Sequence, residues 1–480
     1  MVKVIAGINS GQHRKMFEAI SSADMGAQNA LLLLRACALP RATYALRTAA
    51  PILVEQFAGE FDRDVRATLA AVVQRKAPTD GSHVFGPAGD AYRLPLSLGG
   101  IGLRSALAMS AAAYVSAVAV AISYMTEEQK VVLKTEGSLV NMGLRMACTK
   151  LRSIGVAFLF APPTAPKQPI VARQCTTTPE FVDHYARISA VGLGMQQLIT
   201  KSIEKNVYEM LCENSKVKAR LLSAGDESGG FTWLSMPPSE PQFKMSNVEV
   251  VRALRHRIGI APIDTLPKCA CGDVVTDHNF DHFHACNAVR YAATNERHTV
   301  VQHALARVAA EAGVHAHMDY TSSCTKEKDG SRKNPDGRLL GLHSSGADMV
   351  IDVAVVTPTA DSYVARNPAS VTPLRVVAKT EGRKRDKYRD YVTTNQSVFC
   401  AFVCESYGAF GKSMRAILAA LTRKAEERKA PSAFGITAFS YAQWAGRVLS
   451  AAIQRGNSRV VDVAMDLLRQ RRGVRVAAAA

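Results

Sequence analysis

Apolar residues recur at helical spacing through the first half of the chain, and positions 14–75 read as helices on that pattern. The Ala/Leu-rich run through Leu31–Leu34 stops at Pro40, and a second helix covers Arg41–Thr48 ahead of Pro51. In 52–75, Val54, Phe57, Phe61, Val65, Leu69 and Val72 fall near helical spacing. A Gly/Pro/Asp loop at 78–90 and a compact stretch of alternating apolar residues and turn formers, Leu94–Leu103, precede an Ala-rich helix. Residues 127–225 are mostly helical in pattern, with a Pro-rich loop at 162–169. A second break at 226–247 leads into a basic helix, Asn247–Ile258, that carries Arg252, Arg255 and Arg257.

After a Cys/His-rich segment the pattern changes. A helix over Asn295–Gly313 is ended by its glycine, and strand-and-loop patterning begins at Met318. Met349–Val356 is a strand, Leu374–Tyr391 a strand passing into a charged helix, Ser397–Cys404 a buried strand, and Lys412–Lys429 a helix. A helical half is thus followed by an α/β region at 295–430.

Composition narrows the class. Hydrophobic residues make up 48% and charged residues 21%, a globular balance that excludes wholesale disorder. Lys and Arg number 59 against 41 Asp and Glu, a formal charge of +18, which favours a nucleic-acid partner ahead of an anionic membrane surface. The N-terminal segment has no signal-peptide pattern. Ala106–Met125 carries no charge over the length of a membrane span, but its Ala/Ser content fits a buried helix better, so no membrane association is expected. Most of the 10 cysteines are scattered, which reads as reduced thiols rather than a disulfide framework.

Three cysteines do cluster with histidines. Cys269 and Cys271 are one residue apart, Gly272 follows as a turn former, and His282 and Cys286 lie four apart on what would be one helical face. Zinc takes four N/S ligands in a tetrahedron, so Cys269, Cys271, His282 and Cys286 form the candidate structural Zn²⁺ site. His278 is an alternative ligand, and His284 points elsewhere, as a surface residue or one behind the ligands.

A second constellation follows. Phosphodiester hydrolysis with a divalent metal needs converging carboxylates and a cation near the developing charge. Asp336 follows Pro335, and Asp352 sits within the apolar strand Met349–Val356, where a lone carboxylate is costly unless it meets a metal or partner. Asp336 and Asp352 are the candidate Mg²⁺ ligands. A lysine two residues beyond the second acid would complete the usual strand signature, but that position is Ala354. The basic helix from Glu381 supplies Lys384 instead, with Tyr388 on the same face. Upstream, Arg297 is a candidate phosphate contact, and His298 a candidate contact to DNA or neighbour of the metal site.

In that order these features resemble the C-terminal part of site-specific non-LTR retrotransposon proteins. The carriers are Cys-x-Cys, His-x-x-x-Cys, Arg-His, Pro-Asp, an Asp in an apolar strand and Lys-x-x-x-Tyr. Leu33–Arg41, Tyr44–Arg47 and Leu94–Arg104 are similar to the helical thumb that follows the polymerase palm in that family. The resemblance spans about 15–125 and 266–415. It implies a thumb-like region at 1–125, a helical region of unknown role at 126–265, a zinc knuckle at 266–292, a restriction-like endonuclease domain of the PD-(D/E)xK type at 293–430, and a basic helical extension at 431–480. It implies that Asp336, Asp352, Lys384 and Tyr388 are catalytic, that Arg297, His298, Arg383 and Lys387 bind nucleic acid, and that DNA and element RNA are partners in the nucleus. The nick would prime reverse transcription. Asp348 stays a minor candidate for the acid pair. The sequence holds no Tyr-x-Asp-Asp and no Asp-Asp pair, so a polymerase active site is not expected in it. The other expectation is a zinc-containing nucleic-acid-binding fragment of a degenerate element, without cleavage.

Overall fold

The computed structural model describes residues 10–75, 85, 89–154, 156, 178–186, 194–264, 268–318, 325–326, 332–366, 369–394, 396–428, 438 and 440–479. The Pro-rich loop expected at 162–169 lies outside the described residues. The fold is mostly helical, with one four-stranded sheet in its second half.

The first part is built from α1 (Ser10–Ile20), α2 (Ala27–Leu33), α3 (Pro40–Thr48), α4 (Pro51–Val72) and α5 (Ala106–Ile122). Proline opens both α3 and α4 at the position where its missing N–H costs nothing. The stripe expected along α4 is buried, with Val54, Phe61, Val65 and Leu69 in the core. The Ala-rich α5 is the central helix of this part and is buried on most of its faces. Among the described residues no helix is long and apolar enough to cross a membrane. Five helices follow: α6 (Glu127–Lys134), α7 (Leu139–Ser153), α8 (Thr178–Ala186), α9 (Met195–Leu211) and α10 (Ser215–Ala224). All but α10 contribute to a second cluster on α5, through Leu133, Leu144, Phe181 and Ile199.

Helix α11 (Asn247–Ile258) matches its expected bounds because its end signals are local. Ser246 and Glu249 form a reciprocal capping box, and Gly259 closes the helix at φ +81°. Gly259 also meets α10: a Cβ there would lie 1.4 Å from Arg220 Nη1. Its arginines do not form a solvated basic face. Arg255 donates to the Val73, Gln74 and Ala261 carbonyls at 2.5–3.2 Å, and Arg257 to those of Gly100, Ala224, Gly230 and Leu96 at 2.7–3.2 Å. Arg252 pairs with Asp462 at 2.6 Å. These side chains bolt α11 to loops and to the C-terminal helix.

After the short α12 (His282–Ala285), the long α13 (Asn287–Glu311) leads to β1 (Ala316–Met318) and a two-stranded ribbon, β2 (Thr325–Lys326) with β3 (Arg332–Lys333). β4 (Gly337–Leu339) and β5 (Met349–Val356) follow, then α14 (Asp361–Arg366), α15 (Arg375–Lys387), α16 (Arg389–Thr394), β6 (Val398–Glu405), α17 (Lys412–Glu427) and α18 (Tyr441–Ala479). The sheet order is β1-β4-β5-β6. β4 is antiparallel to β1 and β5, while β6 is parallel to β5, with Asp352 opposite Ala401. The crossover between the parallel strands is helical, as parallel pairing requires. The strand expected at the start of 374–391 is therefore absent. Leu374, at φ +60°, is the turn residue before α15 begins at Arg375.

One core runs through the molecule, from Leu34 and Leu69 by way of Leu254, Val301, Ile351 and Phe402 to Leu449 and Ile453. The C-terminal α18 lies against α13, and Gly456 permits that approach: a Cβ there would be 2.8 Å from Arg297 Cγ.

Candidate active site and metal centre

Strand β5 sorts its side chains by alternation. Ile351 and Val353 enter the main core, while Val350, Ala354 and Val356 face α15, α16 and the side chains they carry. Asp352 shares that second face and is only 4% exposed. Ala354 packs with Leu374 and Val377 at the foot of α15.

The cation comes from the covering helix. Lys384 on α15 forms an ion pair with Asp352 Oδ2, and its Nζ lies 3.4 Å from the Val353 carbonyl. Tyr388, one turn on, is fully buried, with its hydroxyl 2.8 Å from the Asn334 carbonyl and 3.2 Å from Asp352 Oδ1. Its single proton is shared between those two acceptors. Asp336 stands immediately before β4. Its N–H donates to Ile351 O at 2.9 Å and its Oδ2 accepts from the Val353 N–H at 2.6 Å. Burial first, then the Asp352 carboxylate beside it, push the Asp336 carboxyl up to about 7. His298 Nε2 reaches Asp336 Oδ2 at 3.5 Å. Asp336, Asp352, Lys384, Tyr388 and His298 thus meet at one place. Asp348 does not join them: it pairs with Arg338 at 2.8 Å and accepts from the Gly341 N–H.

The expectation for Arg297 is corrected. Arg297 is 2% exposed and is no phosphate contact. Its guanidinium donates to Val355 O at 3.0 Å and to Asn457 Oδ1 at 3.3 Å, and lies 3.3 Å from His284 Nδ1. It ties β5 to α18 and to the Cys/His segment. Lys387 is exposed, but its ammonium turns back onto Tyr388, 2.9 Å from the hydroxyl and 4.6 Å from the ring centroid. That contact holds the tyrosine at the edge of the site. Arg383, by contrast, is exposed and lines a cleft beside Lys384.

The donor atoms of Cys269, Cys271, His282 and Cys286 all lie within 4.8 Å of one another. The Cys269 and Cys286 sulfurs are 3.7 Å apart, and Cys271 Sγ is 3.3 Å from His282 Nε2. Zn–S bonds of about 2.3 Å at tetrahedral angles place two sulfurs about 3.8 Å apart, so this donor set fits a metal such as zinc. Burial pushes the Cys269 thiol up, a cost that a bound dication removes. The Cys269–Asp273 turn is closed by Gly272 at φ +99°. The other imidazole nitrogen of His282 faces Asp273 Oδ2 at 3.7 Å, the place of a carboxylate behind a ligating histidine. His278 is exposed and outside the cluster. His284 is 7% exposed, a correction to its surface reading, and stands behind the ligands against Arg297.

Several contributors escaped the sequence. Gln302 donates to the Asp336 carbonyl at 2.6 Å. Its four-residue spacing from His298 on α13 was the available signal. Asn457 had none, being remote in sequence from Arg297 and Ser406, which it joins. A comparison with protein-family models finds no match, and a search of curated proteins finds none either.

Proposed function

We propose that the sheet and its flanking helices form a restriction-like, metal-dependent DNA endonuclease, and that the chain is the C-terminal part of a site-specific non-LTR retrotransposon protein. The observation that carries the nuclease reading is the meeting of Asp336, Asp352 and Lys384. They come from a loop, a strand and a helix. Two adjoining carboxylates, Asp352 buried and Asp336 partly so, repel each other unless a cation stands with them. Oxygen ligands of this kind suit Mg²⁺, which Asp336 and Asp352 would hold. When bound, the ion would polarise a phosphoryl oxygen and acidify a water. Lys384 places its ammonium beside Asp352, where it would offset charge developing on the phosphate. Tyr388 fixes the Asp352 carboxylate, and His298 and Gln302 fix Asp336 from its other side. The thumb-like helices, the partners DNA and element RNA, and action in the nucleus belong to this reading through the resemblance alone.

The test is direct. Purified protein with Mg²⁺ and supercoiled plasmid is expected to yield nicked circles, and Asp352→Ala to lower the rate about a thousandfold with its circular dichroism unchanged. Wild-type protein as inert as Asp352→Ala sinks the nuclease and leaves a zinc-containing nucleic-acid-binding protein.

A further inference from the structure

Beside Lys384 lies a cleft of about 310 Å³, bounded by α13, the second half of β5, α14 and α15. Its polar lining includes Asn295, His298, Ser362, Arg383 and Lys384, and no carboxylate is among its lining residues. It therefore presents positive charge and hydrogen-bonding groups next to the acid pair. The volume is at the lower end for small-ligand pockets and suits one nucleotide unit.

A ridge continues from the cleft. Arg375, Lys379 and Arg383 are exposed and recur every fourth residue along α15, rising about 6 Å per step. None of the three takes part in an ion pair among the described residues. Of the other cations of this helix, Lys384 is engaged with Asp352 and Lys387 with Tyr388, while Arg385, also exposed, falls outside this four-residue repeat. Because α15 is the crossover between the parallel strands β5 and β6, Arg375 lies toward the C-terminal end of β5, where α14 closes the cleft.

We propose that this cleft and ridge are a single-strand track: one nucleotide of the cut strand enters the cleft beside Lys384, and the following phosphates run along Arg383, Lys379 and Arg375. The track rests on the nuclease reading for its polarity relative to the cut, but its binding is independent of cleavage. A cleft of this volume holds one nucleotide unit and not the width of a duplex, which fits a strand splayed from its partner.

The test measures binding of the full-length protein, without added Mg²⁺, to a fluorescent single-stranded oligodeoxynucleotide and to the duplex of the same sequence across a salt series. Each phosphate contact on single strands adds about 0.7 to the slope of log affinity against log salt. The triple variant Arg375→Ala/Lys379→Ala/Arg383→Ala is expected to lower the single-strand slope by about 2. The duplex slope should move by less than half as much. The control Lys201→Ala/Lys205→Ala, on the exposed side of α9, should leave the single-strand slope in place. An unchanged slope in the triple variant, an equal fall with the control, or an equal fall on duplex overturns the track. A protein that shows the slope change yet never nicks plasmid keeps the track and loses the hydrolytic reading.

Discussion

At the residue scale, Arg297 shows how burial decides a role. A guanidinium beside a histidine in a basic chain suggests phosphate, yet this one serves three partners inside the protein. Arg297→Ala is expected to destabilise the fold by about 3 kcal/mol, since buried acceptors lose a charge-assisted donor. Arg297→Lys should recover little, because an ammonium cannot reproduce the planar fork. Urea unfolding measures both. The salt slope of nucleic-acid binding should not move in either variant, and a fall of about one phosphate's worth would return Arg297 to the interface. Asp352 was legible for the opposite reason. An acid inside Met349–Val356 is an expense visible from the sequence alone, and the structure supplies Lys384 and Tyr388 as its partners.

At the element scale, the Cys/His segment is too small to bury a core of its own. It seats Val275 and Phe283 against Val460, Val461, Ala464 and Leu468 of α18. About one equivalent of zinc should survive mild purification, and Cys286→Ala should lose it. Hydrogen exchange should then rise over 269–286 and along the matching face of α18, while α4 stays protected. Full protection in the metal-free protein would mean that packing alone holds the segment. At the same scale, Lys384 reaches Asp352 from the covering helix α15 rather than from β5 itself.

At the scale of the whole molecule, buried ionisable groups set a stability profile with pH. His256 is stacked on Tyr407 at 4.2 Å, and burial pushes its imidazole down to about 3. The unfolded chain therefore takes up this proton first, so the stability it contributes is full above about 6.5 and falls as pH drops toward 3. Glu405 behaves in reverse. Burial pushes its carboxyl up to about 7, so the folded form keeps a proton that the unfolded chain has released. Stability falls as pH rises from about 4.5 to 7 and is flat beyond, a loss of about 3 kcal/mol at most. The two windows overlap between about 4.5 and 6.5, where their opposite slopes offset and thermal melts should plateau. Glu405→Gln should remove its own share of the decline on the alkaline side, Asp336 supplying another share. The same loss of melting temperature between pH 5 and 8 in wild type and Glu405→Gln would show that burial does not hold this proton.

The sequence by itself determined what is local. The capping box Ser246/Glu249 and Gly259 bounded α11, apolar residues on both faces marked β5, and close spacing of Cys269, Cys271, His282 and Cys286 marked the candidate metal site. Each of these is contained in a single short stretch of chain, the longest running from Cys269 to Cys286. Tertiary structure alone decided the rest. Whether Arg255, Arg257 and Arg297 face water or carbonyls depends on segments far away in sequence, as does the seating of the knuckle on α18. A charged side chain carries no local mark of its distant partner, because the desolvation that fixes its role arises only when the chain closes around it.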